Sequence, residues 1–111
     1  MKSINCNIND IRLNHNNIIV LDYTVDYETI ELNMQQLLSQ IGLSVYGYNT
    51  YNNIYWGKLF EKNKCVCSLY LHLNSINPLT TRITIENKII NNNITQKIIQ
   101  KLNKHIDELV L

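Results

Sequence analysis

The stretch Asp26–Gly42, DYETIELNMQQLLSQIG, decides how the rest of the chain is read, because the segments around it have the period of strands and need a surface to pack against. Ile30, Met34, Leu37, Leu38 and Ile41 recur at i, i+4, i+7, i+8 and i+11, which puts them on one stripe of an α-helix. Glu28, Glu31, Asn33, Gln35, Gln36 and Gln40 cover the remaining faces. Asp26 can accept from the first free backbone N–H groups, and Gly42 can take the left-handed conformation that ends a helix without a Cβ clash. The spacing predicts a helix over 27–41.

Upstream of that helix, Ile18–Val25 is a β-branched run whose odd positions, Ile19, Leu21, Tyr23 and Val25, form the more apolar face. Before it, Asn14-His15-Asn16-Asn17 is turn chemistry, and Ser3–Leu13 alternates in the manner of a half-buried strand. Downstream of Gly42 the period changes from 3.6 to 2. Strands are expected near 43–48, 54–61, 64–73 and 80–89, with Asn74-Ser75-Ile76-Asn77-Pro78 ending the third of these. A second helix is expected over 93–109, capped by Asn92 or Asn93, with Ile94, Ile98, Ile99, Leu102, Ile106, Leu109 and Val110 as its apolar stripe.

Short connections imply antiparallel neighbours. The fold class that follows is α+β: one two-layer domain, with an antiparallel sheet of about five to six strands and both helices packed on one face. The element order of strand, helix, meander and terminal helix resembles that of the kinase-associated C-terminal domains and several other small adaptor folds. The likeness is one of topology, without a residue match, and implies nothing about function.

With 111 residues, of which 45% are hydrophobic, the chain has material for one core and not for two. The formal charge of +1 gives no overall pull toward nucleic acid or membrane, although most acidic side chains precede Gly42 and most basic ones follow it. No Ala is present and Asn and Ile dominate, the signature of an AT-rich coding sequence, so Asn runs carry little functional weight. The N-terminus lacks the apolar run of a secretion signal and no window spans a bilayer. A soluble, intracellular protein with no membrane contact is expected. Three cysteines without framework spacing agree with a reducing compartment.

Cys65 and Cys67 could suggest metal or redox chemistry, but a period-2 strand merely sends both to the same face as Leu69 and Leu71, and core packing accounts for them. No metal and no cofactor is expected. The chain has no G-x-S-x-G, no phosphate loop, no H-E-x-x-H and no calcium loop, so it is not expected to be an enzyme. Asp22 and Asp26 at the strand-to-helix corner are explained by turn formation and capping. Lys97, Lys101 and Lys104 form a stripe that reads as a solvated helix face.

The surface candidate is the aromatic stretch 46–58, YGYNTYNNIYWGK. A hairpin closing around Asn49–Asn53 sets Tyr48 against Ile54 and Tyr46 against Trp56; one closing at Asn52-Asn53 sets Trp56 against Asn49. Aromatic cross-strand pairs commonly do no more than stabilise a sheet. The functional alternative is a binding surface built from Tyr46, Tyr48, Tyr51, Tyr55, Trp56 and Lys58. Binding of a protein partner or of a second copy through this hairpin and the open sheet face is the first expectation. Nucleic acid, held by Tyr48, Tyr51, Tyr55 and Trp56 with Lys58, Lys62 and Lys64, is the second.

Overall fold

A computed structural model describes residues 18–87 and 92–110. The elements run β1 (Ile18–Tyr23), α1 (Tyr27–Gln40), β2 (Ser44–Asn49), β3 (Ile54–Glu61), β4 (Lys64–Asn77), β5 (Thr80–Asn87) and α2 (Asn92–Glu108). The strands form one antiparallel sheet in the order β1-β5-β4-β3-β2, and both helices cover one face of it, so the expected α+β architecture is the observed one. The strand expected over Ser3–Leu13 and the turn at Asn14–Asn17 lie outside the described residues.

Helix α1 forms where its stripe predicts. Asp26 caps it, its carboxylate accepting from the Thr29 N–H at 3.1 Å and from the Thr29 hydroxyl at 2.7 Å. Ile30, Met34, Leu37, Leu38 and Ile41 are all buried. At the other end Gly42 has φ +88, and the N–H groups of Gly42 and Leu43 return to the carbonyls of Ser39 and Leu38. The helix has a geometric task besides packing. Strands β1 and β2 lie at opposite margins of the sheet, about 19 Å apart at the usual strand spacing, and a 14-residue helix is about 21 Å long. One helix therefore carries the chain across the whole sheet.

The core fills the space beneath. Ile19, Leu21 and Tyr23 of β1, Ile83 and Ile85 of β5, and Cys67, Leu69, Leu71 and Leu73 of β4 face the helices, as their alternation requires. Polar links fix α2 over this surface. The Tyr23 hydroxyl donates to Asn103 Oδ1 at 2.7 Å, and the Asn87 amide donates to Thr95 Oγ1, both partners of the second bond being buried. Cys67 points its thiol at Asn87 Oδ1, 3.7 Å away, and burial pushes that thiol up to about 11, so it stays protonated as a small core side chain.

Strand β4 is longer than the alternation of Leu69, Leu71 and Leu73 suggests. Asn74-Ser75-Ile76-Asn77 does not end it. These residues continue the ladder against Arg82, Thr81 and Thr80 with a bulge near Ile76, leaving only Pro78 and Leu79 as the turn. Backbone pairing with β5 satisfies a stretch whose side chains alone read as loop. No described helix is long and apolar enough to cross a membrane.

Substituting Gly42 tests the crossing helix's exit. Gly42→Ala forces a Cβ onto a left-handed residue with Leu59 Cδ1 already 3.4 Å away, and should cost about 1–2 kcal/mol in urea unfolding. A change indistinguishable from zero would mean that the turn is not strained by a side chain.

Candidate functional site

The face of the sheet away from the helices is uncovered among the described residues, and strand register assembles its surface. Two neighbouring transverse rows result. One runs Ile18, Glu86, Tyr70, Trp56, Gly47 from β1 to β2, and the next runs Thr84, His72, Ile54, Asn49 from β5 to β2. The first row has two large aromatics at its centre and the second has smaller side chains, so the step between them forms an open trough of about 640 Å³. A trough of this volume, apolar with a few polar groups, lies in the range that ordered ligands and peptide segments occupy.

Trp56 is the best-held member. Its ring stacks on Tyr70 with centroids 5.9 Å apart and planes 22° apart, and its indole N–H donates to Ser68 Oγ at 3.1 Å. On the other side it leans over Gly47, where a Cβ would stand 3.8 Å from Cε3. An aromatic ring covering a glycine on the neighbouring edge strand replaces the contact that glycine cannot make. Tyr46 stands next to Trp56 at 5.9 Å and to Phe60 at 6.2 Å, and the Lys58 ammonium lies 5.0 Å from the centroids of both Tyr46 and Trp56. Phe60, Tyr46, Trp56 and Tyr70 thus form a continuous aromatic band, of which Trp56 and Tyr70 line the trough.

Neither sequence-derived register of the hairpin is the one formed. Asn49 pairs with Ile54, Tyr48 with Tyr55 and Gly47 with Trp56, and a bulge at Tyr46 then restores Val45 opposite Gly57. The bulge turns Tyr46 onto the open face beside Trp56. Tyr46, Trp56 and Lys58 are therefore brought together as expected from the sequence. Tyr51 stands at the hairpin tip, 95% exposed and away from them. Tyr55 belongs to the opposite face, where period 2 sends it inward and it is 4% exposed; Tyr48 stacks on it at 4.3 Å, yet stays 41% exposed and borders the trough. Tyr55 is thus a core residue and no part of the open surface. The trough's remaining walls, Ile18, Thr84 and Glu86, come from β1 and β5, whose pairing leaves no local trace in sequence. Tyr70 falls on the open face as its alternation with Leu69 and Leu71 predicts, and Phe60 could have been found from alternation about Leu59.

At the α1 margin, Tyr27 lies near Tyr48, Tyr55 and Glu31. Burial, with the Glu31 carboxylate next in importance, pushes the Tyr27 hydroxyl up to about 12, and burial likewise raises Tyr55. Among the described residues no three His, Cys, Asp or Glu side chains sit close enough to hold a metal ion. The chain was compared with family models, with curated proteins and with solved structures, and none of the three gave a match.

These tyrosines give a pH signature. A phenol whose folded pKa is raised supplies stability that is complete below its unfolded value of 10 and is lost as pH rises toward 12, and Cys67 behaves alike from 9 to about 11. The urea midpoint should therefore hold steady at neutral pH and decline above pH 9. Tyr27→Phe should flatten the upper part of that decline; an identical decline in the variant would show that Tyr27 ionises freely.

Proposed function

We propose that the chain is a non-catalytic interaction module that holds an extended segment of another polypeptide in the trough of its open sheet face. The observation that supports this most is the pairing of a rigid aromatic wall, Trp56 and Tyr70 held by stacking and by Ser68, with a lower row of Thr84, His72, Ile54 and Asn49. Aromatic anchors that are already fixed lose little entropy when a partner covers them, which is why such residues dominate binding energies at protein surfaces. Polar groups at intervals along the trough, Glu86, His72 and Asn49, suit the alternating polar and apolar side chains of an extended chain.

A second reading rests on the aromatic band with Lys58 beside it, a combination that also suits stacked bases. Glu86 within the trough works against phosphate there, so this reading ranks lower.

Trp56 is the only tryptophan in the chain and reports directly on the trough. Peptides selected from a random display library against the full chain should shift its emission, and Thr84→Arg, which fills the floor, should weaken them by at least about tenfold, the loss expected for blocking a hot-spot contact. Peptides that bind both forms equally would remove the trough from the proposal. Mixed-sequence single-stranded DNA should leave the emission unchanged. Quenching that fades as salt rises would favour the second reading instead.

A further inference from the structure

We propose that the outer edge of β2 pairs antiparallel with β2 of a second copy of the chain, joining the two sheets into one. The inference builds on the reading above, since it names a second copy as one partner, but it places that partner at the sheet margin and not in the trough.

Three observations converge on this edge. Strand β2 ends the sheet, so among the described residues no strand occupies its outer side, and its backbone N–H and C=O groups there form a template for pairing. Natural edge strands are usually defended by lysines, prolines, inward-facing charges or bulges. Here the chain from Leu32 to Gly57 contains no Asp, Glu, Lys, Arg, His or Pro, and the bulge at Tyr46 is the one interruption in the strand. The opposite margin differs, because β1 carries Asp22, held to Arg82 at 2.8 Å. Finally, Val45, Tyr46 and Tyr48 on β2 are 42%, 52% and 41% exposed, so apolar surface accompanies the open backbone.

The occupant follows from self-complementarity. A two-fold axis between Tyr46 and Gly47 is the one that lets all six residues of Ser44–Asn49 pair. Ser44 then meets Asn49 of the second copy, Val45 meets Tyr48, and Tyr46 meets Gly47. Each pairing is of a favourable kind: polar with polar, β-branched with aromatic, and aromatic over glycine, the last repeating what Trp56 does to Gly47 within the sheet. No like charges are brought face to face, because Ser44–Asn49 carries no charged side chain. A six-residue ladder with a few flanking rings falls short of the roughly 1,200 Å² that stable interfaces bury, so the dimer is expected to be weak and concentration-dependent.

Sedimentation of the full chain from about 1 to 300 µM, a range bracketing the affinity expected of so small an interface, should show the mean mass rising toward twice the monomer. S44D/N49D sets like charges opposite each other at both ends of the ladder and should stay monomeric throughout. Asn49→Asp retains the Oδ1 that accepts from the N–H groups of Tyr51 and Asn52, so the hairpin turn is kept. S44K/N49D sets opposite charges at the same places and should dimerise at least as well as the parent, with circular dichroism checking the fold of both. A parent that is monomeric over the whole range, or two double variants that associate alike, overturns the proposal. Thr84→Arg separates it from the trough reading: self-association should survive that change, and its loss there would move the contact from the edge to the sheet face and overturn the edge assignment.

Discussion

Everything in this fold depends on burying one face of a five-stranded sheet with two helices, one of which must also join the two margins. That double demand fixes α1. Its length has to match the sheet's width, its stripe has to face the strands along the whole diagonal, and it has to stop sharply where β2 begins. Asp26 and Gly42 mark the ends of a crossing that can be neither much shorter nor much longer. The polar face of α1 carries amides and the carboxylates of Glu28 and Glu31, and by covering one side of the sheet the helix leaves the opposite side open among the described residues.

Polar contacts inside the core act on orientation more than on stability. A Leu or Ile face slides easily over another apolar surface, whereas the Asn87 amide on Thr95 and the Tyr23 hydroxyl on Asn103 are satisfied only when α2 lies in one position. Thr81 plays a similar part at the β1–α1 corner, its hydroxyl donating to the Val25 carbonyl at 2.7 Å. The ion pair between Asp22 and Arg82 holds Asp22 below the usual carboxylate range, yet both side chains are partly in solvent, so the pair is worth no more than about 1 kcal/mol and chiefly records the β1–β5 register.

Most of the architecture is legible in the sequence because it rests on local periodicity. Ile30 to Ile41 announce a helix, Leu69, Leu71 and Leu73 announce a strand, and the two periods never compete within a segment. What escapes is whatever depends on a partner strand. The hairpin register is hidden because a single extra residue at Tyr46 lets Tyr48 face Tyr55 while Val45 still meets Gly57, and no local pattern marks a bulge. Period 2 puts Tyr55 and Trp56 on opposite faces, but which of the two is buried is decided by the face the helices cover. The trough is half hidden for the same reason, its Trp56 and Tyr70 wall being contributed by the meander and its Ile18 and Glu86 end by strands far apart in the chain.

That distance has a consequence for how the molecule assembles. From β2 to β5 each strand pairs with its successor through a short turn, so these contacts close small loops. Among the described strands β1 joins only β5, and Asp22 and Arg82 are 60 residues apart. Closing a loop of that size costs about 2 kcal/mol more in chain entropy than closing a four-residue hairpin, a deficit repaid only once β5 exists and α1 has crossed the sheet. The meander's contacts are thus the less costly ones to close, and β1 is bound by contacts that span most of the described chain.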